Sequence, residues 1–158
     1  MRTCSGKCSM IYGIHTDYLV AVEVVEHECH EPAWTLLQTL LPNDDELALA
    51  PQLLAGFIHI VTDPRRLPKP LEMHVALARA EHWWQAEEVV RVLPTHESTL
   101  EFLGWMRAYR LGRKRLLDTA LAAAYAHAGI RRIITNDGVG FRTFGCFELI
   151  PFGRPNPV

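Results

Sequence analysis

Several features that would define a broad class of protein are absent from this sequence. No apolar run approaches the roughly 18 to 20 residues needed to cross a bilayer, and the first residues lack the charged-then-apolar order of a secretory signal. The formal net charge of -2 gives no basic excess, so binding to nucleic acid cannot be inferred from bulk charge. We therefore expect a cytoplasmic protein whose function has to be argued from individual residues.

Cysteine is scarce, and its spacing does not favour a metal site. Three residues separate Cys4 from Cys8, whereas a zinc knuckle has a two-residue gap and a second matching pair. The segment 27–30 (His-Glu-Cys-His) places ligand-type residues side by side, but adjacent side chains cannot all turn toward one ion. We therefore favour reduced thiols at Cys4 and Cys8, and a solvated loop at residues 27–30, over zinc sites.

Short apolar runs alternate with amphipathic stretches along most of the chain. Residues 1–9 are small and polar and are predicted to be a flexible extension, and residues 10–158 contain no linker-like stretch, so they are predicted to form a single domain. Strands are predicted at 10–14, 47–50, 89–93, 130–135 and 146–150, and helices at 31–41, 51–61, 71–86, 95–111, 116–128 and 139–143. This alternation predicts an α/β fold in three layers, with helices on both faces of a central parallel sheet of four to five strands.

Two aspartates stand out because parallel sheets bind ligands beyond the carboxyl ends of their strands. Asp118 carries the only charge between residues 116 and 126, so its carboxylate needs water, a donor or a cation. Asp137 directly follows the predicted strand 130–135. Two structural alternatives stay open: Asp118 caps a helix N-terminus, and Asp137 is an ordinary turn residue in Asn-Asp-Gly.

The candidate catalytic and metal-binding residues fall in four stretches of the chain. They are residues 10–20 around His15-Thr16-Asp17, residues 49–64, residues 112–123 around Asp118, and residues 133–141 with Asp137 and Phe141. Their order resembles the acidic motifs of PIN domains, and the second stretch is similar to its form in VapC-like toxins. The resemblance covers the chain from about Met10 to Pro151 and implies a PIN-like version of the three-layer fold.

The resemblance implies a function as well as a fold. VapC-like toxins hydrolyse RNA phosphodiesters with carboxylate-bound Mg²⁺ or Mn²⁺, and a cognate antitoxin holds them in check; self-association as a homodimer is common among them. By resemblance, Asp118 and Asp137 would be metal ligands and catalytic residues, and Thr135 would hydrogen-bond in the catalytic site. The basic run Arg113, Lys114 and Arg115 would contact RNA phosphates, although a solvated turn is the ordinary role of such a run.

Two positions depart from the family pattern. His15 stands where family members have an aspartate, and Gly56 stands where they have a glutamate. In one interpretation, Asp17, His15 or His59 supplies the missing metal ligands. In the other, which we favour, both histidines are hydrogen-bonded residues that bind no metal. Histidine ligands would shift the preference from Mg²⁺ toward Mn²⁺.

The sequence therefore leaves two functions open. One is a VapC-like ribonuclease with reduced activity, and the other is a catalytically degenerate PIN domain that binds protein or RNA. A phosphoacceptor or nucleotide-binding α/β domain is a more distant option, and the lack of a glycine-rich phosphate loop argues against nucleotide binding.

Overall fold

Strands and helices alternate in the computed structural model, which describes residues 8–153. The strands are β1 (Ile11–Ile14), β2 (Glu46–Leu49), β3 (Val89–Arg91), β4 (Arg132–Ile134) and β5 (Glu148–Ile150). The helices are α1 (Thr16–Glu23), α2 (His30–Leu40), α3 (Pro51–Val61), α4 (Met73–Gln85), α5 (His96–Ala108), α6 (Leu116–His127) and α7 (Val139–Arg142), with 3-10 turns at Leu41–Asn43 and Arg113–Arg115. None of these helices is both long and apolar enough to span a membrane.

The five strands form one sheet in the order β3-β2-β1-β4-β5, and every neighbouring pair is parallel. In the central strand β1, Gly13 pairs with Ala48 of β2 and with Ile133 of β4. The predicted α/β fold with a parallel sheet of four to five strands is confirmed. All the carboxyl ends therefore lie along one edge, where the sequence places His15, Thr135 and the start of α3.

Tyr125 of α6 fixes the centre of the sheet. It is fully buried, and its hydroxyl lies 2.6 Å from the carbonyl oxygen of Ile14 and 2.9 Å from that of Ala48. Its ring occupies the space above Gly13, where an added Cβ would come within 2.9 Å of two ring carbons. Glycine is therefore required at this point of β1, and α6 is held against the carboxyl ends of β1 and β2.

Helix α1 is the element that the sequence prediction missed. Its buried core runs without a break from Tyr18 to Val22, so the segment shows no alternation between an apolar and a polar face. Periodicity identifies a helix only when one side faces water, as it does in α3, whose predicted and observed bounds agree. Because α1 starts directly after β1, Asp17 lies in its first turn at the carboxyl edge of the sheet.

The thiols of Cys8, Cys29 and Cys146 are free. Within the segment 27–30, the backbone N–H of Cys29 donates to His27 Nδ1, and His30 Nδ1 lies 2.9 Å from the carbonyl oxygen of Ala21. These are local contacts at the start of α2. Cys4 and most of the predicted extension 1–9 lie outside the described residues, as do the last five residues of the predicted domain.

Replacing Tyr125 with phenylalanine should lower the free energy of unfolding by about 1–3 kcal/mol, because two buried carbonyl oxygens lose their hydroxyl partner. Chemical denaturation monitored by circular dichroism measures this change. Tyr109→Phe is the control, since that side chain is 44% exposed. Equal unfolding midpoints for the two variants would contradict the role assigned to the Tyr125 hydroxyl.

Candidate functional site

A cavity of about 800 Å³ opens at the carboxyl edge of the sheet. Its walls come from three parts of the chain, together with Arg66 from the loop after α3. The end of β1 and start of α1 contribute His15, Thr16 and Asp17; α3 contributes Gln52, Leu53, Gly56, His59 and Ile60; the turn before α6 and α6 itself contribute Arg113, Lys114, Leu117, Asp118 and Leu121. The cavity thus lies where the parallel sheet predicts a ligand site.

His15 links the two carboxylates that face this cavity. Its Nε2 lies 2.9 Å from Asp118 Oδ1, its Nδ1 lies 3.1 Å from Asp17 Oδ1, and the residue is 8% exposed. Only an imidazole protonated on both nitrogens donates to both carboxylates. Burial alone would lower the pKa of His15, but the hydrogen bonds and charges of Asp118 and Asp17 outweigh it and raise the pKa to about 9. His15 is therefore a cation at neutral pH.

Asp17 ties the start of α1 to the turn after β4. Its Oδ1 accepts from the backbone N–H of Tyr18 at 2.8 Å, and its Oδ2 accepts from the Thr135 hydroxyl and the Asn136 N–H, both at 2.9 Å. Burial alone would raise the pKa of Asp17; the hydrogen bond and charge of His15, with the donors of Asn136 and Thr135, hold the pKa below its ordinary value of 3.8. The ionised Asp17 holds the His15 ring in its orientation.

The two aspartates predicted as metal ligands have different surroundings. Asp118 lies in the first turn of α6 and does not cap it, because the cap position is Arg115 and has no side-chain hydrogen bond. Asp137 is exposed on the turn after β4 and does not line the cavity. Its backbone N–H donates to Asp17 Oδ2 at 3.2 Å and to the Thr135 hydroxyl at 3.0 Å. Asp137 therefore joins the network through its backbone.

The three residues of the predicted RNA-binding run do not all face the cavity. Arg113 and Lys114 are exposed and line the cavity. Arg115 instead turns toward α7, where its Nη2 donates to the carbonyl oxygen of Gly140. Arg115 is thus used to hold α7 against the start of α6, and the cationic wall of the cavity consists of its two neighbours and Arg66.

The side chains present do not fit the divalent ion that the family resemblance implies. Gly56 offers no ligand, the carboxylates of Asp17 and Asp118 already face a cationic ring, and Asp137 lies outside the cavity lining. Within residues 8–153, no three side chains of histidine, cysteine, aspartate or glutamate are grouped so that they could hold a metal ion. The Mg²⁺ or Mn²⁺ site stays a prediction, and the donor set argues against it.

Sequence reasoning gave Gln52 and Leu117 no role at the site, although both line the cavity. A signal for Gln52 was present. It lies with Gly56 and His59 on the non-apolar side of the predicted helix 51–61, at a spacing that places all three on one face. For Leu117 the sequence holds no such signal, because every neighbour on α6 except Asp118 is uncharged.

Replacing His15 with asparagine should change how stability depends on pH. Because folding raises the His15 pKa from 6.5 to about 9, its charge stabilises the fold fully below pH 6.5, and this stabilisation is lost as the pH rises through about 9. Wild type should exceed His15→Asn in unfolding free energy by on the order of 1–3 kcal/mol at low pH, with the gap closing at high pH. Denaturation across this pH range measures the gap.

The control for that series is His59→Asn, which alters an exposed histidine of the same cavity. Its unfolding curves should run parallel to those of the wild type. If the gap between wild type and His15→Asn stayed constant through pH 9, His15 would not be the bridging cation.

No family model and no curated protein matches the chain, but solved structures do. The toxin VapC20 from Mycobacterium tuberculosis, which cleaves the sarcin-ricin loop, gives a TM-score of 0.68 at 18% identity, over 87% of this chain and 97% of that one. A chain of VapBC2 from Rickettsia felis, solved with promoter DNA, gives 0.64 at 15% identity, over 90% and 98%. A chain of VapBC-1 from nontypeable Haemophilus influenzae gives 0.62 at 17% identity, over 90% and 98%. The chain therefore has the PIN-like fold of VapC toxins.

Proposed function

We propose that this protein is a VapC-like PIN domain that binds RNA in the cavity at the carboxyl edge of its sheet and does not hydrolyse it with divalent ions. The charge of that cavity carries the proposal. Its lining carries the positive side chains of Arg66, Arg113 and Lys114, which outnumber the carboxylates of Asp17 and Asp118. A cavity with a surplus of positive charge attracts phosphates without the help of a metal ion.

RNA is the ligand that the fold favours. A toxin of the same fold, VapC20 from Mycobacterium tuberculosis, cleaves the sarcin-ricin loop. In this chain, Arg113 and Lys114 occupy exposed positions at the mouth, where they can reach a nucleic-acid backbone. A basic cavity mouth beside an acidic site that lacks two of the carboxylates implied by the resemblance fits a domain that binds RNA without cleaving it.

An antitoxin is the protein partner that we propose. Similar structures include the VapBC2 and VapBC-1 systems and the FitAB system, the last also solved with a DNA fragment. The binding mode that we propose is an antitoxin peptide laid over the helical surface of the domain. Binding by an antitoxin does not need an active site, so this part of the proposal is independent of cleavage.

Metal-dependent hydrolysis of RNA is the rival function, with Asp118, Asp137 and Thr135 as its catalytic residues. It needs carboxylate oxygens that are free to take Mg²⁺. The Asp118 Oδ1 atom instead contacts His15 Nε2 at 2.9 Å, and the Thr135 hydroxyl donates to Asp17 at 2.9 Å. These contacts favour the binding function over the hydrolytic one.

Replacing Arg113 and Lys114 with glutamine should weaken binding of single-stranded RNA about tenfold. Binding should also become less sensitive to salt. The slope of log K against log salt concentration should fall in magnitude by about 0.7 for each phosphate that the variant no longer neutralises. Fluorescence anisotropy with a labelled oligonucleotide measures both quantities. The matched control is Arg131→Gln, because Arg131 is exposed but precedes β4, at the opposite edge of the sheet. Equal weakening in both variants would show that binding is not centred on the cavity.

The wild-type protein should neither bind Mg²⁺ or Mn²⁺ in isothermal titration calorimetry nor cleave RNA in their presence. The double variant His15→Asp with Gly56→Glu should gain Mg²⁺ binding, because it removes the bridging cation and adds two carboxylates beside Asp118. Gly56→Ala alone is the control and should gain nothing. Metal-dependent cleavage by the wild type that Asp118→Asn abolishes would refute the non-hydrolytic part of the proposal and support the rival.

A further inference from the structure

The basic turn Arg113–Arg115 supplies two cations to the cavity and one anchor outside it. Arg113 and Lys114 are exposed and line the cavity. Arg115 donates from Nη2 to the carbonyl oxygen of Gly140 in α7. Long side chains that face water keep most of their rotamer freedom, so they do not fix the backbone that carries them. The position of the two cavity cations therefore depends on how the turn itself is held.

The Arg115 guanidinium lies directly against Gly140. A Cβ added at Gly140 would lie 3.3 Å from Nη2, 3.5 Å from Cζ and 3.6 Å from Nε. The Nε atom is buried and has no hydrogen-bond partner within residues 8–153. Burial of an unpaired donor costs free energy, so the side chain is not placed there to satisfy all of its donors. The contact is an anchor through one hydrogen bond, which the ammonium group of a lysine can also make.

Helix α7 is a fixed base for this anchor. Phe141 of α7 is 1% exposed, and its ring meets the His15 ring edge-on, with 5.1 Å between the ring centroids. The turn before α7 is tied to the same network, because the backbone N–H of Asp137 donates to Asp17 Oδ2. A turn that is anchored to α7 is therefore held at a defined place relative to His15 and Asp17, which line the cavity.

The backbone of Arg115 is held as well. Its carbonyl oxygen accepts from the Thr119 hydroxyl at 2.6 Å, and Thr119 is fully buried in α6. Its N–H donates to the carbonyl oxygen of Gly112 at 2.9 Å. Arg115 thus connects α6, through its backbone, with α7, through its side chain. Arg113 and Lys114 lie between Gly112 and this connection, at the mouth of the cavity.

We propose that Arg115 is a positioning residue, which holds Arg113 and Lys114 at the cavity mouth by anchoring their turn to α7 and does not itself contact the bound ligand. This inference rests on the proposed RNA-binding function, and it divides one basic run of the sequence into two contact residues and one anchor. Without the anchor, the turn adopts further orientations in which the two cations leave the mouth. The apparent affinity then falls in proportion to the fraction of molecules that remain competent to bind.

Removing the anchor tests this inference. Arg115→Met keeps a long side chain without donors and should weaken binding of single-stranded RNA about fivefold. Arg115→Lys should bind as the wild type does, because its ammonium group can still donate to the Gly140 carbonyl oxygen. The matched control is Arg131→Met, which removes the same charge from an exposed position before β4, at the opposite edge of the sheet, and should leave binding nearly unchanged. Fluorescence anisotropy measures all four proteins.

A double-mutant cycle separates an anchor from a residue that contacts RNA. In a protein that already carries Arg113→Gln and Lys114→Gln, Arg115→Met should cause no further loss of affinity, because the two cations that it positions are gone. A further loss of about fivefold in that background would show that Arg115 contacts the RNA itself, and it would overturn the inference.

Hydrogen exchange tests the anchor without RNA. The backbone amides of residues 112–117 should exchange faster in Arg115→Met, which lacks the donor, and in Gly140→Ala, whose added methyl group would lie 3.3 Å from Nη2 and displace the guanidinium. Gly104→Ala is the control, since an added Cβ there meets nothing within 4 Å. Circular dichroism checks the fold of each variant, and Gly140→Ala takes the place of Arg115→Met in the binding tests if the latter is unfolded.

Faster exchange with the expected loss of RNA binding would support the positioning role. Unchanged exchange in the folded variants would overturn the inference and leave the proposed function standing. Faster exchange together with no RNA binding by the wild type would refute the proposed function, while the anchoring contact would stand.

Discussion

The contact of His15 with Asp17 and Asp118 is the interaction on which the site depends. Its members belong to the end of β1, the start of α1 and the first turn of α6, and Asp17 extends it to the turn after β4. A buried charge is costly unless it is paired and hydrogen-bonded, and here each ring nitrogen has a carboxylate partner. The three charges therefore stabilise one arrangement of the strand ends, and removal of any member would leave another without its partner.

The same contact shows that the chemistry of the site and the fold depend on different residues. The parallel sheet and its helices have the arrangement found in VapC toxins, while the His15 ring stands between the two cavity carboxylates and a glycine lies in the wall beside them. Charge at the carboxyl edge is set by a few side chains, while the fold is set by the apolar core beneath it. Side chains at this edge can therefore differ between proteins of one architecture, and the ligands that the cavity attracts depend on those side chains.

Much of the architecture could be predicted from the sequence because hydrophobic spacing reports directly on burial. The bounds of α3 follow from a proline and a periodic stripe, and the preceding strand, predicted at 47–50, lies at Glu46–Leu49. Helix α1 was not predicted because Tyr18 to Val22 are all buried. The segment therefore lacks the polar face by which a helix is recognised in a sequence. The family resemblance pointed to Asp118 and His15, which line the cavity, and to Asp137, which does not; Thr135 donates to Asp17.

The sequence by itself determined the alternation of strands and helices, the carboxyl edge as the place of the site, and the residue types there, because these follow from local composition and chain order. Only the tertiary structure decided that Asp17 turns back onto the β4 turn, that Asp137 takes part through its backbone, and that Arg115 faces α7 while Arg113 and Lys114 face the cavity. The direction of a side chain at a strand end or in a single turn depends on partners that are distant along the chain. No local pattern of residues encodes those partners.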